Sequence, residues 1–282
     1  MTLTGDAHVH SEWSWDTGGP SSPDAVGRME LTCERAARIG LPALVFTEHF
    51  DFGSWSSREA DERPHLRSVI ADGILTPPPL DIPGYLESIE RCRRRFPELT
   101  ILTGVEFGEP HQYADEAAAL VELGVIDRIN GSLHRIPLGG ERSEPGMLMR
   151  EWSAAEVMWA YLEELPRMVA GSDAFEVFTH IDWVARYWPV DAVGPFDPRP
   201  FEEGFRSGMR VLAESGRALE LNTRRLWSWI PQWWSEEGGR TITFGSDAHV
   251  PEALASGIPE AMLMAEHFGF RPGRRPQDFW TR

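Results

Sequence analysis

The sequence contains no lysine, because all 27 of its basic residues are arginine. It therefore cannot form a lysine Schiff base with a substrate, and it cannot place a P-loop lysine against a nucleotide phosphate. Cysteine is also scarce: Cys33 and Cys92 lie far apart in the chain, without the spacing of a metal site. We expect both thiols to be reduced and structural, which favours a cytoplasmic location.

Long apolar runs are missing as well. No stretch approaches the roughly 20 residues that a membrane helix needs, and the first residues lack the basic-then-apolar pattern of a secretion signal. We therefore expect no membrane partner. The 44 acidic residues outnumber the 27 basic ones, which gives a formal net charge of −17. Since nucleic-acid binders neutralise phosphates with cationic side chains, this balance argues against a nucleic-acid partner.

The length and composition allow one sizeable core, since 41% of the 282 residues are hydrophobic. We find no internal repeat and no low-complexity linker, and we expect one domain over residues 1–282. Residues 53–80 form a long polar connection, which suggests a lid. Composition leaves open whether the protein is a homo-oligomer.

Short β-rich runs alternate with helical segments along the chain. Six runs are LPALVFTEH, LTILTGVEF, VIDRINGSLH, FEVFTHID, ALELNT and TITFGSDAH, and the residues before His8 form a seventh. Five segments are predicted helices: SSPDAVGRMELTCERAARIG, DIPGYLESIERCRRRF, YADEAAALVELG, SAAEVMWAYLEELPRMV and PFEEGFRSGMRVLAESG. The first is expected to begin at a Ser22 cap, with Pro23 in its first turn, and to end at Gly40. The alternation predicts an α/β fold whose parallel sheet is nearly a barrel.

Side chains that bind metals lie at or near the ends of these predicted strands. Chemistry in such barrels occurs at the carboxyl ends of the strands, so we expect these side chains to converge. The nine candidates are His8, His10, Asp16, His49, Glu106, His134, His180, Asp247 and His249. So many unpaired polar groups in one cavity would cost several kcal/mol, a cost that divalent cations remove. Imidazole and carboxylate ligands without thiolate suit Zn, Mn or Fe, and nine groups would serve about two or three ions.

The motifs themselves resemble those of a known family. DAHVHSEWSWDT, FTEHFDF, GVEFGE, INGSLH, FTHIDWVARY, LELNT and GSDAH occur in the order seen in the polymerase-and-histidinol-phosphatase (PHP) superfamily. The chain resembles a stand-alone, histidinol-phosphatase-like member, which implies a distorted (β/α)7 TIM-like barrel with a trinuclear metal centre. The resemblance implies one ion held by His8, His10, Glu106 and Asp247, a second by Glu106, His134 and His180, and a third by Asp16, His49 and His249.

The resemblance and the ligand set predict a metal-dependent phosphomonoesterase, with L-histidinol phosphate as the leading substrate. A metal-bridging hydroxide is expected to attack the phosphate ester without a phosphoenzyme, while Asp247 or His249 protonates the leaving alkoxide. The alternatives are a phosphatase or phosphodiesterase acting on a nucleotide or sugar phosphate, and an amidohydrolase-like metal hydrolase. A metal-stabilised regulatory domain without activity is a further alternative.

A small phosphorylated substrate also needs cationic donors, and arginine binds phosphate oxygens in pairs. Arg186 lies six residues past His180, in a region from which histidinol phosphatases also use an arginine. The other candidates for substrate binding are Arg224, Arg225, Arg135 and His111.

Further side chains near the motifs have more than one interpretation. Glu48 and Asp51 flank His49 and are expected to orient ligands rather than to bind metal. His65 is expected to be an exposed loop residue and His267 to be structural. The tryptophans of RRLWSWIPQWWSEE, together with Trp13 and Trp15, either pack in the core or form an aromatic wall for a planar leaving group.

Overall fold

The computed structural model describes residues 3–57 and 63–282. Its strands are β1 (Asp6–Val9), β2 (Ala43–Phe50), β3 (Trp55–Ser56), β4 (Ile70–Ala71), β5 (Ile74–Leu75), β6 (Thr100–Gly108), β7 (Arg128–Ser132), β8 (Ile136–Leu138), β9 (Glu141–Ser143), β10 (Val177–Phe178), β11 (Ala218–Asn222), β12 (Thr241–Gly245) and β13 (Trp280–Thr281). The main sheet has the order β1-β2-β6-β7-β10-β11-β12-β13. All neighbours in it are parallel except the last pair.

The parallel strands close on themselves between β1 and the end of β12. The carbonyl of His8 accepts a hydrogen bond from the Asp247 N–H at 2.8 Å, and the His10 N–H donates to the Ala248 carbonyl at 2.9 Å. Lower down, β13 covers the edge of β12 at Thr241 and Ile242 instead. Closure over only part of its height makes the barrel irregular, and the predicted distorted (β/α)7 barrel is confirmed. All seven predicted strands are present.

The helices fill the connections between the barrel strands. They are α1 (Met29–Ile39), α2 (Ile82–Arg95), α3 (Ala114–Leu123), α4 (Pro145–Leu148), α5 (Ala154–Gly171), α6 (Trp183–Arg186), α7 (Val190–Val193), α8 (Glu202–Glu214), α9 (Trp229–Glu236) and α10 (Ile258–His267). Short 3-10 turns occur at Trp15–Thr17, Pro64–Leu66, Pro110–Gln112, Arg199–Phe201 and Pro251–Ala253. No helix in the described ranges is both long and apolar enough to span a bilayer.

The predicted start of α1 at Ser22 is wrong, although its end at Gly40 is confirmed. The helix begins at Met29, whose N–H donates to the Glu12 carboxylate at 2.6 Å. A side chain 17 residues upstream therefore caps the helix. The residues before Met29 follow the edge of the barrel, where a Cβ at Gly27 would lie 2.7 Å from the His249 carbonyl. The absence of a side chain at Gly27 permits this close approach.

The core lies between the helices and the barrel wall. Both cysteines are free and buried, Cys33 on α1 and Cys92 on α2, within one apolar cluster. The helices α5 and α8 pack closely because Gly208 gives Leu165 space: a Cβ there would lie 2.8 Å from a Leu165 methyl. The prediction of a single domain over residues 1–282 stays a prediction.

The segment predicted as a lid, 53–80, contains a small antiparallel sheet of order β3-β5-β4. Residues 58–62 of this segment lie outside the described residues. Trp55 and His65 line the cavity at the barrel mouth, so His65 is not the exposed loop residue that the sequence suggested. The lid function stays a prediction.

Candidate metal centre

The nine predicted ligands come together at the carboxyl ends of the barrel strands. Glu106, on β6, is at their centre. Its Oε2 lies 3.3 Å from Nε2 of both His8 and His10. Its Oε1 lies 2.7 Å from Nε2 of His180 and 3.2 Å from Nε2 of His134. The two oxygens of one carboxylate thus face two separate histidine pairs, which is the arrangement of a bridging carboxylate.

A third set lies on the outer side of His10. The Asp16 carboxylate is 2.8 Å from Nε2 of His249 and 3.6 Å from Nε2 of His49. Both of these rings stack on His10, with centroid distances of 4.1 Å for His249 and 4.5 Å for His49. Asp247 closes the first set, with Oδ1 at 3.5 Å from Nε2 of His10.

Groups of ligand atoms within 4.8 Å of one another correspond closely to the predicted sets. The groups are His8, His10 and Glu106; Glu106, His134 and His180; His10, His49 and His249; and His49, Asp51 and His134. The second is the predicted set unchanged. In the third, His10 takes the place predicted for Asp16, which lies beside the same two histidines.

Hydrogen bonds behind the ligands determine which ring nitrogen faces the centre. Nδ1 of His8 lies 2.6 Å from the Glu220 carboxylate, so it carries the proton and leaves the Nε2 lone pair facing inward. The Ser14 hydroxyl donates to Glu48 at 2.7 Å and therefore accepts from Nδ1 of His10 at 2.9 Å. The two inward Nε2 atoms are only 3.1 Å apart. Two lone pairs this close, beside a carboxylate, repel each other unless a cation lies between them.

Buried polar atoms without hydrogen-bond partners also indicate a cation site. Among the described residues, Oδ1 of Asp16 and Nδ1 of His180 are buried without a hydrogen-bond partner. Buried polar atoms are normally paired, so unpaired ones at a ligand cluster need an explanation. The donor set of imidazoles and carboxylates fits divalent cations of the Zn, Mn or Fe type.

The electrostatics of the cluster favour added positive charge. Burial acts against a charged ring at His8, but Glu220 and Glu106 outweigh it and hold the pKa of His8 well above its ordinary value. At His134 burial acts in the same direction, yet Glu106 and Asp51 raise the pKa to about 10. The acids thus stabilise a cation at these positions, which a proton or a divalent ion can supply.

Glu220 is the important residue that the sequence analysis missed. It is fully buried on β11, and its Oε2 also accepts the His180 N–H at 2.8 Å. It therefore orients two ligands of different sets. A charged residue inside the apolar run ALELN, two positions before Asn222, was the available signal. Glu48 lies behind the cluster, where it accepts a hydrogen bond from the Ser14 hydroxyl. Asp51 lies 3.2 Å from Nδ1 of His49 and shares a candidate ion-binding group with His49 and His134. That both acids orient ligands rather than bind metal stays a prediction.

Two of the ligands sit on strained backbone. His180 has a φ of 20° and Asp247 a φ of 54°, in the left-handed region that residues other than glycine seldom adopt. Such strain costs about 1–3 kcal/mol and persists at functional sites where the surrounding structure imposes it. The centre is therefore built at some cost to stability.

A cavity of about 810 Å³ opens over the cluster. Arg186, Arg224, Arg225 and Arg135 all line it. Arg186 is the best placed for an anion: its Nη1 donates to Asp247 at 2.7 Å, while Nε and Nη2 are buried without a partner among the described residues.

The other three arginines are engaged elsewhere or more exposed. Arg135 forms a buried ion pair with Glu109, donating from Nε at 2.6 Å, which makes it chiefly structural. Arg225 donates to the Ala185 carbonyl at 3.0 Å. Arg224 leaves 57% of its side chain exposed and lies 3.7 Å from Asp247, so it is free to turn toward a ligand.

His111 does not reach the cavity, and the predicted substrate contact is not supported. Its Nε2 lies 2.9 Å from the Glu164 carboxylate on α5, and Arg142 donates to the same oxygen at 2.8 Å. The turn after β6 directs the ring away from the barrel mouth toward α5. His111 is thus part of a structural ion-pair network.

The tryptophans divide between the core and the cavity. Trp229, Trp233 and Trp234 are buried on α9 and do not line the cavity, so this part of the cluster packs in the core. Trp15 lines the cavity and donates from its indole to Asp51 at 2.8 Å. Trp183, which the sequence analysis did not single out, lies on the rings of His134 and His180 at centroid distances of 4.7 and 5.0 Å.

Comparison with known proteins places the chain among similar sequences and folds. The PHP domain family model matches residues 6–224. Histidinol-phosphatase from Lactococcus lactis subsp. lactis is 25% identical over 94% of this chain and 91% of that protein. A probable histidinol-phosphatase from Clostridium acetobutylicum is 23% identical over 76% of this chain and 87% of that protein. The crystal structure of the Lactococcus lactis histidinol phosphate phosphatase, complexed with zinc, L-histidinol and phosphate, has a TM-score of 0.75 at 23% identity and covers 95% of this chain and 94% of that one.

Proposed function

This chain belongs to the PHP domain family, and we propose that it is a metal-dependent phosphatase whose substrate is L-histidinol phosphate. The observation that carries the proposal is the position of Arg186. Two of its guanidinium nitrogens are buried and unpaired at the edge of a cluster of nine ligand-type side chains. A phosphate ester satisfies both, because it brings oxygens to the cations and to the guanidinium together.

The proposed centre would hold three ions in the predicted sets, and the Glu106 carboxylate would be a ligand in the first two. Bound divalent ions supply Lewis acidity and lower the pKa of water toward neutrality. His8, His10 and Asp247 would hold one ion, and His134 with His180 would hold a second.

The chain's own side chains then position the ester and manage the proton. Arg186 binds the phosphate oxygens and fixes the ester for in-line attack. For the leaving alkoxide we retain Asp247 and His249 as proton donors. Burial favours protonated Asp247, but Arg186 and His10 outweigh it and hold the pKa of Asp247 well below its usual range. His249 has a raised pKa, because Asp16 outweighs its burial, and it faces the cavity with 23% of its side chain exposed. Of the two, His249 is therefore the one that can carry a proton, and it would act as the donor only in a state in which its ring does not hold the third ion.

A substrate panel tests the proposal. Zinc- or manganese-loaded protein is assayed for phosphate release from L-histidinol phosphate, a nucleoside monophosphate, a sugar phosphate and a phosphodiester. Selective turnover of L-histidinol phosphate is expected, together with its loss in an Asp247→Ala variant that keeps its fold. Activity confined to the diester would contradict the proposal. A loss of stability alone in Asp247→Ala, from a protein inactive on every ester, would instead indicate a metal-stabilised scaffold.

The names of the two curated relatives support this choice of substrate over nucleotides and sugar phosphates. The acidic composition supports a small-molecule partner rather than nucleic acid, and the scarcity of cysteine supports a cytoplasmic location. These partner and location statements remain predictions, as does the oligomeric state.

A further inference from the structure

One carboxylate in the cavity is not part of the metal cluster. The acids that line the cavity are Asp16, Asp51, Glu106, Glu144 and Asp247. Four of them lie within 4 Å of a histidine of the cluster. Among the described residues, Glu144 makes no such contact. Its charge therefore serves a purpose other than binding the ions.

The Glu144 side chain is held in place on one side only. The Trp55 indole donates to Oε1 at 2.9 Å. Oε2 accepts no hydrogen bond from any described residue, although the side chain is half-buried. Glu144 precedes α4, but its side chain makes no capping bond to that helix. Trp55 thus fixes one oxygen of the Glu144 carboxylate at the cavity wall, and the other oxygen accepts from none of the described residues.

The surroundings of Glu144 are aromatic. Trp55 lies edge-on to Trp15 at a centroid distance of 5.9 Å, and Trp15 lies against His49 of the cluster at 5.4 Å. On the other side, Gly146 brings α4 up to Tyr187: a Cβ there would lie 3.0 Å from the ring. An acid among aromatic rings suits an organic cation, because the rings and the charge both attract it.

Burial raises the pKa of Glu144 above its ordinary value, while the Trp55 hydrogen bond and the charges of His134 and Arg63 lower it. A cationic ligand would add to that lowering. The position is therefore one where an ammonium or imidazolium group gains a charge-assisted hydrogen bond and relieves a buried acid.

We propose that Glu144, held by Trp55, is the specificity residue that binds the nitrogen cation of the leaving group and so selects cationic phosphate esters over neutral ones. The inference rests on the proposed phosphatase function, because it concerns the far end of the same substrate. L-histidinol phosphate carries two such groups, its amine and its imidazole, and both are chemically suitable.

Glu144→Gln tests the assignment, because it keeps shape and one acceptor but removes the charge. Its kcat/KM for L-histidinol phosphate should fall at least about tenfold relative to its kcat/KM for p-nitrophenyl phosphate, mainly through KM. L-histidinol as a competitive inhibitor should weaken by a similar factor. Glu141 is an exposed acid on the neighbouring β9, and Glu141→Gln is the matched control. It should change neither the kcat/KM ratio of the two substrates nor the inhibition by L-histidinol. Trp55→Phe keeps the ring but removes the donor, and it should shift the ratio in the same direction.

Two truncated substrates show whether Glu144 binds the amine or the imidazole. If the amine is recognised, wild-type protein prefers O-phosphoethanolamine to n-propyl phosphate, and Glu144→Gln loses that preference. If the imidazole is recognised, the same difference appears with 3-(imidazol-4-yl)propyl phosphate. The assays with these two truncated substrates do not depend on which ester is the physiological one. If wild-type protein is inactive on L-histidinol phosphate, the proposed function is refuted but the role of Glu144 is not. Equal losses on cationic and neutral esters, or no change on either, would overturn the role of Glu144.

Discussion

Replacing Glu220 by glutamine should weaken metal binding without removing any ligand. The carboxylate accepts from Nδ1 of His8 at 2.6 Å through one oxygen and from the His180 N–H at 2.8 Å through the other. Glutamine has the same shape but only one acceptor. If its oxygen keeps the His180 bond, its amide N–H group faces Nδ1 of His8. The ring must then carry its proton on Nε2, which is the nitrogen that faces Glu106.

The size of the effect follows from this change of tautomer. Loss of a residue that orients a metal ligand typically lowers metal affinity about 10- to 100-fold, which corresponds to about 1.4–2.7 kcal/mol. Both His8 and Glu220 are fully buried, so water cannot replace the lost acceptor. We expect a value in the upper part of this range.

A chelator-competition titration measures the affinity, and elemental analysis gives the number of ions retained. Activity lost in Glu220→Gln should return when the metal concentration is raised about 100-fold. Glu214→Gln, an exposed acid at the end of α8, is the control. If the metal affinity of Glu220→Gln is unchanged, the tautomer of His8 does not depend on Glu220.

Three further changes test separate parts of the site. Arg186→Ala removes the buried donors from the phosphate, so kcat/KM should fall about 10- to 100-fold in steady-state assays, and an unchanged kcat/KM would contradict phosphate binding. Gly245→Ala should lower stability by about 1–3 kcal/mol in thermal unfolding and reduce metal content, since the new Cβ would lie 2.1 Å from Glu220 and 2.4 Å from His8. Chelator-treated protein should lose stability as pH rises from about 6.5 to about 10. The pKa of His134 is raised to about 10 in the folded state, so its stabilisation is complete below the unfolded pKa and is lost through this window. Metal-loaded protein should show a smaller loss, and a stability that instead rises over this range would contradict the raised pKa.

The convergence of the nine candidate side chains was predictable from the sequence because their positions follow from one rule. Strands of a parallel barrel end on one face, so polar side chains at the ends of β2, β6 and β12 must meet. His49, Glu106 and Asp247 do so, and the short runs that carry them are regular enough to be recognised. The barrel itself follows from the same alternation of runs.

The residues behind the ligands could not be predicted in this way. Glu220 contacts His8 only because Gly245 on the neighbouring strand leaves space for both, which depends on how β11 and β12 are paired. His111 follows β6, which is why it was predicted to contact the substrate. In the structure its Nε2 lies 2.9 Å from the Glu164 carboxylate on α5 instead. Long-range partners of this kind do not appear as a local pattern.

Glu144, the proposed specificity residue, could not be predicted from the sequence either. It follows the hairpin of β8 and β9, far in sequence from Trp55 on β3, and only the fold brings the two together. Nothing in the surrounding GGERSEPG distinguishes this acid from its exposed neighbour Glu141.

Anomalous diffraction from crystals of zinc- or manganese-loaded protein shows directly whether the cluster binds three ions. We expect peaks at three positions: between His8, His10 and Asp247, beside His134 and His180, and beside Asp16 and His249, with Glu106 shared by the first two. Absence of peaks at this cluster, or peaks confined to other surfaces of the protein, would contradict this expectation.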